Sequence, residues 1–396
     1  MRVLPVIVLA QFCCTSLWFA GNAVMGDLVR TFGISPQELG TLTSSVQFGF
    51  ILGTLCFAIL SIADRFSPSR VFFLCALAGA LTNLGMLWPE NTLQSLIGFR
   101  FLTGFCLAGI YPVGMKIAAD YFREGLGKSL GFLVGALVLG TAFPHLLKSL
   151  SATFPWSYVV YGTSFLAISG GTMILFSVPD GPYRKAASAV QLSAFLQVFR
   201  KPTFRSAAFG YFGHMWELYA FWAFVPVLLK TYQIRHNVSF SISAWSFGII
   251  AIGGVACALG GYLSQRHGPQ RVVALSLGLS GICCFLIPFV LLQPSTPLFL
   301  GFLLLWGMAV IADSPLFSTL VAQRAPGEIK GTALTIVNSI GFAVTIVSIQ
   351  TLSMLLTRWD MPYVYWILAC GPIFGLWSLQ YPRQKSNLEQ GEMKKL

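Results

Sequence analysis

Five charged or titratable residues stand inside stretches that are otherwise apolar: Arg100, Lys116, His214, Glu217 and Asp313. An ionised side chain in hydrocarbon costs at least ~2.5–3.5 kcal/mol on insertion scales, so each needs a partner or a function. His214 and Glu217 are one helical turn apart and share a face. A carboxylate beside an imidazole can take up a proton and hand it on, and that face would look onto a central cavity. Asp313 precedes Ser314-Pro315. Proline offers no N–H to the carbonyl of Ile311, so a kink and a free backbone oxygen are expected beside an acid, a suitable place for a proton or cation. Proton coupling is therefore assigned to Glu217, His214 and Asp313, and Glu217→Gln is expected to abolish proton-driven accumulation. The bland alternatives are a neutral Glu bridging helices and an Asp bonded to local backbone.

Arg100 and Lys116 sit in one apolar run. At helical spacing they point about 160° apart and lie about 24 Å apart along the axis. Arg100 is the buried cation, facing substrate or pairing a neighbouring helix. Lys116 lies one turn before Asp120 and reads as a gate residue tied to it. Two neutral polar faces add to a cavity lining: Gln11, Thr15, Trp18 and Asn22 in the first run, and Thr335, Asn338, Phe342 and Thr345 near the end. The candidate substrate-binding set is Arg100, Trp18, Asn22, Gln47, Tyr111, Trp216, Tyr219 and Asn338. The cysteines include the adjacent pairs Cys13-Cys14 and Cys283-Cys284, without CxxC or His spacing, and read as small packing hydrophobes. No metal and no cofactor is expected.

The elements that must position these residues are set by composition. The chain has 396 residues, 56% hydrophobic and only 10% charged, against about 25% charged in soluble domains. Its mean hydropathy is +0.74. That balance excludes a soluble enzyme, a nucleic-acid-binding module and a disordered chain, and leaves a polytopic membrane protein. Apolar runs between breakers predict twelve membrane helices near 4–27, 37–62, 69–89, 93–118, 125–148, 156–178, 204–229, 239–264, 270–292, 297–322, 328–356 and 361–380. The first reads as a retained helix, not a signal peptide. Ser35-Pro36-Gln37-Glu38 reads as a capping box opening the second span. With both termini cytoplasmic, the cytoplasmic segments hold 18 Lys and Arg and the outer loops only Arg30, Lys148, Lys230, Arg235 and Arg358. The positive-inside rule then accounts for the net charge of +12 without a nucleic acid or acidic partner.

A polar stretch divides the chain into a bundle at 1–178, a cytoplasmic linker at 179–203, a bundle at 204–380 and a cytoplasmic tail at 381–396. The two parts match internally. Asp64-Arg65 through Arg70-Val71 aligns with Gln265-Arg266 through Arg271-Val272, and Gly104 and Pro112 fall on Gly307 and Pro315 at an offset of 203. Parallel six-helix repeats are a secondary-transporter architecture.

On these residues the chain resembles the major facilitator superfamily along essentially its whole length. Asp64-Arg65 with Arg70 is similar to that family's loop signature, and Arg100 followed by Gly104 is similar to its fourth-helix signature. Asp120 ends the fourth helix where the family keeps an acid. Leu60 departs from the usual Gly, and the fifth helix lacks the Gly-Pro pair of drug antiporters. The resemblance extends to the nitrate/nitrite and small-anion porters, but Gln47 and Trp245-Ser246 occupy the places where those porters keep arginines, so nitrate is not carried over. The implied fold is an all-α membrane protein of twelve transmembrane helices in two six-helix pseudo-repeats. The implied function is proton-coupled secondary transport, by symport and alternating access, of a small polar solute, anionic or zwitterionic. Asp64, Arg65, Arg70, Lys116 and Asp120 are implied as a cytoplasmic gate. The alternatives are a proton-coupled exporter of amphipathic compounds and a metal or cation transporter. An integral-membrane enzyme is disfavoured, because no catalytic constellation or soluble domain accompanies the spans. The expected partners are solute, protons and the lipid bilayer of a cell inner membrane, with the protein a monomer.

Overall fold

The computed structural model describes residues 3–122, 126–150, 154–184, 198–326, 330–359 and 362–380. Most of the expected linker (185–197) and the whole tail (381–396) lie outside the described residues. Among the described residues every regular element is helical. A shorter apolar helix, α1 (Val3–Thr15), is followed by eleven helices long and apolar enough to cross a membrane: α2 (Pro36–Ile59), α3 (Pro68–Leu87), α4 (Leu93–Tyr121), α5 (Ser129–Leu150), α6 (Ser157–Ser177), α7 (Pro202–His236), α8 (Ile242–His267), α9 (Pro269–Leu292), α10 (Thr296–Arg324), α11 (Thr332–Arg358) and α12 (Pro362–Gln380). Ser35 caps the start of α2, its hydroxyl accepting from the Gln37 N–H.

The first predicted span, 4–27, is not one helix. The Thr15 and Ser16 hydroxyls donate back to the carbonyls of Gln11 (2.8 Å) and Cys13 (2.7 Å). The N–H groups of Leu17 and Trp18 reach only three residues back, to Cys14 and Thr15. Side-chain hydroxyls that compete for backbone carbonyls loosen a helix at that point. The chain resumes as short helices at Ala20–Ala23 and Met25–Phe32, and stops at Gly33 with φ 63°. Two other spans are interrupted before prolines, α4 between Leu107 and Tyr111 ahead of Pro112, and α10 between Ala309 and Ser314 ahead of Pro315. The kink expected at Pro315 is present and has a counterpart at its repeat position.

The repeat is visible atom by atom. A Cβ placed on Gly104 would strike the carbonyl oxygen of Val46, and one on Gly307 would strike that of Ile249. Both glycines and both carbonyls are related by the same offset of 203. Thus α2 crosses α4 as α8 crosses α10, each at backbone contact that only glycine permits. Gly49 and Gly53 press likewise on the Phe101 and Phe105 carbonyls. We expect Gly104→Val and Gly307→Val each to prevent recovery of monodisperse protein, since overpacking a tight crossing costs about 1–3 kcal/mol or more. Gly98→Val, where a Cβ meets nothing within 4 Å, is expected to behave as wild type. Well-folded Gly104→Val protein in size-exclusion chromatography would rule this crossing out.

The first six helices meet the last six along α2–α11 and α5–α8. The Gln350 amide donates to Ser44 at 3.0 Å, the Ser353 hydroxyl donates to the Gln37 carbonyl at 3.2 Å, and the Ser149 and Ser241 hydroxyls are 3.4 Å apart. These contacts lie at the end of the bundle opposite Asp64.

Candidate functional site

The three residues expected to handle protons lie close together on α7 and α10, all essentially inaccessible. His214 Nδ1 is 2.9 Å from Asp313 Oδ1, with both side chains 1% exposed. The imidazole lies beside the rings of Tyr211 and Phe317, at centroid distances of 6.0 and 5.7 Å. Asp313 sits in the break of α10, whose shape follows from Pro315. Glu217, one turn along α7, faces α9 and α10 within the last six helices. Its carboxylate accepts from the Ser280 hydroxyl, from Trp306 Nε1 at 2.6 Å and from the Cys284 thiol at 3.2 Å. The sequence did not single out these three as donors to Glu217, and read Cys284 as a packing hydrophobe. Trp306 lies two turns before Asp313, the one available signal. Cys284 is more than a packing group, because a thiol is a weak hydrogen-bond donor. All nine cysteines are free.

Arg100 is 1% exposed and, among the described residues, bonds to no carboxylate. Its guanidinium donates from Nη1 to the Leu17 carbonyl at 3.1 Å and to Asn83 Oδ1 at 3.4 Å, and from Nη2 to the Trp18 carbonyl. It thereby satisfies carbonyls released by the break after α1. Of the two roles weighed for it, the geometry displays the pairing with a neighbouring helix.

That break sets Trp18 and Phe19 on the seam between the two sets of helices. Trp18 Nε1 donates to Gln47 Oε1 at 3.1 Å. Its ring lies 4.8 Å from Phe50, 5.6 Å from Phe342 and 5.8 Å from Tyr219, and Phe50 lies 4.5 Å from Phe342. Rings from α2, α7 and α11 therefore converge on the Trp18 segment. Gln47 Nε2 is buried there without a hydrogen-bond partner among the described residues. Asn22 donates to Thr43 at 2.8 Å, and Tyr211 OH donates to Asn338 Oδ1 at 2.6 Å. Tyr111 opens the second part of α4, partly exposed. Trp216 turns the other way and donates to the Ile367 carbonyl of α12 at 2.9 Å. Trp18, Gln47 and Tyr219 are thus brought together at the seam, and Trp216 is not. Phe50 and Phe342 complete the ring cluster. Phe50 carried no polar signal in the sequence.

The expected gate splits. Lys116 Nζ stands 2.8 Å from Asp64 and 3.4 Å from Asp120. Arg184 donates to the Asp64 and Phe66 carbonyls at 2.9 and 2.8 Å and pairs with Asp180 at 2.5 Å, and Ser67 donates to Asp180 at 2.6 Å. The network ties the α2–α3 loop to α4 and to the chain leaving α6. Arg65 and Arg70 are exposed. Asp180 and Arg184, which read as linker, belong to the cluster.

A helical bundle with two internally matched sets of spans, a buried His214–Asp313 pair and an aromatic seam defines a membrane transporter, not an enzyme. The chain belongs to the Major Facilitator Superfamily, whose sequence profile it matches over residues 7–349 and 261–395. It is 23% identical over 357 residues to the 4-hydroxybenzoate transporter PcaK of Acinetobacter baylyi, covering 79% of this chain and 76% of that one. It is 22% identical to the gentisate transporter of Corynebacterium glutamicum (86% and 77% covered) and 22% identical to a probable nitrate/nitrite antiporter of Thermus thermophilus (70% and 64% covered). Its fold superposes on the human organic anion transporter MFSD10 with a TM-score of 0.76 at 16% identity, over 96% of this chain and 99% of that one. It is a multi-pass membrane protein.

Proposed function

We propose that this transporter carries a small aromatic carboxylate across the cell inner membrane together with protons, by alternating access. The observation that carries the reading is the seam: rings contributed by both sets of helices surround Gln47, whose amide N–H groups have no partner among the described residues. Aromatic faces receive a benzoate-like ring, and an amide N–H can donate to its carboxylate. Arg100 lies just behind, its charge spread onto the Leu17 and Trp18 carbonyls. The relatives that carry 4-hydroxybenzoate and gentisate support the same substrate class.

The coupled proton is assigned to His214 and Asp313, with Glu217 one turn away as the second acid. The two sets of helices rock about the seam. The Lys116–Asp64–Asp120 cluster steadies the opposite end, which the Lys and Arg distribution makes cytoplasmic. Purified protein in proteoliposomes tests this with labelled 4-hydroxybenzoate and nitrate under an inward-directed proton gradient. We expect 4-hydroxybenzoate to accumulate above equilibrium, a protonophore to abolish the excess, and nitrate to be left outside. Nitrate uptake without aromatic uptake would overturn the substrate class. Aromatic uptake that stops at equilibrium would overturn the coupling.

A further inference from the structure

The repeat that matches the two sets of helices in shape does not match them in charge at the end bearing Asp64. In the first set, Lys116 is held by Asp64 and Asp120, and Arg184 by Asp180. At the repeat positions Gln265 replaces Asp64, Gln323 replaces Asp120 and Thr319 replaces Lys116, while Arg271 is kept in the place of Arg70. Among the described residues after 200, the acids are Glu217 and Asp313, both enclosed within the spans. Arg324 ends α10 and, among the described residues, donates to neutral oxygens: the Thr203 carbonyl at 2.9 Å, Ser206 at 3.4 Å and Gln270 at 3.0 Å.

Between the ends of α8 and α10 and the start of α9 lies a hollow of about 560 Å³ bordered by His267, Gln270, Arg271, Gln323 and Arg324. Two guanidinium groups, an imidazole and two amides face it, and among the described residues no carboxylate borders it. We propose that this hollow binds the phosphate of an anionic phospholipid from the adjoining leaflet.

The hollow sits where polar surface meets lipid-facing surface. Leu263 is one turn before His267 and 40% exposed, and Leu275 is one turn after Arg271 and 69% exposed. Tyr262, 53% exposed, lies under the Arg266 guanidinium at 4.9 Å. A headgroup seated on Arg271 and Arg324 therefore continues into acyl chains along the outward faces of α8 and α9. A free inorganic anion gains nothing from that apolar border. Arginine forks match phosphate oxygens two at a time, which makes them suited to this ligand.

The test uses the full chain in detergent, with phosphatidylglycerol, phosphatidylcholine or inorganic phosphate added. Bound lipid is counted by native mass spectrometry, and the thermal midpoint is followed in parallel. Phosphatidylglycerol is expected to be retained and to raise the midpoint, phosphatidylcholine to do neither, and inorganic phosphate at millimolar concentration to leave the midpoint unchanged. The exposed-residue double variant His267→Gln/Arg271→Gln is expected to weaken phosphatidylglycerol retention at least tenfold, with an unchanged midpoint in phosphatidylcholine. Arg200→Gln removes a cation elsewhere on the same end of the chain and is expected to retain the lipid. Equal loss in Arg200→Gln, undiminished binding in the double variant, or the same stabilisation by phosphate alone would each overturn the proposal.

Discussion

Asp313→Asn protein is expected to exchange an aromatic acid across a membrane at close to the wild-type rate while losing accumulation driven by a proton gradient. The reason is the isolation of the His214–Asp313 pair. The two groups lie 2.9 Å apart and are 1% exposed. An amide at 313 still presents an oxygen to His214 but can neither bind nor release a proton. One pH unit is worth about 1.36 kcal/mol per proton, a tenfold concentration ratio. With one proton coupled, wild-type vesicles under a one-unit gradient should reach about a tenfold internal excess, and the variant none. Counterflow of labelled against unlabelled 4-hydroxybenzoate separates loss of coupling from loss of folding. His214→Gln and Glu217→Gln should show the same dissociation of accumulation from exchange if their groups take part. A tenfold excess retained in Asp313→Asn would remove the pair from the coupling path. Truncation to Ala is the poorer probe, because an unpaired buried partner costs about 3–5 kcal/mol by itself.

The sequence exposed the charges more readily than their partners. Arg100, Glu217 and Asp313 stood out because hydrocarbon tolerates so few ions, and the pairing of Lys116 with Asp120 follows from their spacing on one helix. The offset of 203 matched Gly104 with Gly307, but that each marks a crossing at backbone contact emerged only from the structure. What stayed hidden was contact between helices. Ser280, Cys284 and Trp306 are ordinary residues in apolar spans, and only the packing of α9 and α10 on α7 turns them toward Glu217. Trp216 and Tyr219 looked alike as polar aromatics near an acid, yet Trp216 bonds to α12 while Tyr219 packs at the seam, a difference set by which helices pack on α7. The break after Thr15 was missed because hydrophobicity counts apolar residues and ignores hydroxyls that bond back to the chain. Asp180 and Arg184 read as linker because polar residues after a span carry no mark of what they fold against.

The break also explains why Arg100 should be the most damaging residue to remove outside the His214–Asp313 pair. Its guanidinium closes off the carbonyls of Leu17 and Trp18, which no helical N–H satisfies. In Arg100→Ala both carbonyls are left buried and unpaired, at about 1–3 kcal/mol each, so the thermal midpoint should fall by several degrees. The functional effect runs through Trp18. Without the clasp, the segment carrying Trp18 and Phe19 loses its fixed place against Gln47, Phe50 and Phe342, and the KM for 4-hydroxybenzoate should rise at least tenfold. Arg100→Lys keeps the charge but replaces a planar fork with a single ammonium, so it should recover part of the midpoint and little of the KM. Trp18→Phe keeps a ring and gives up the bond to Gln47, so its KM should rise only a few-fold with the midpoint nearly unchanged. This ordering separates a residue that positions the seam from one that binds the carboxylate directly. A direct ligand would show the KM rise in Arg100→Ala without the loss of midpoint, and Arg100→Lys would restore binding before stability.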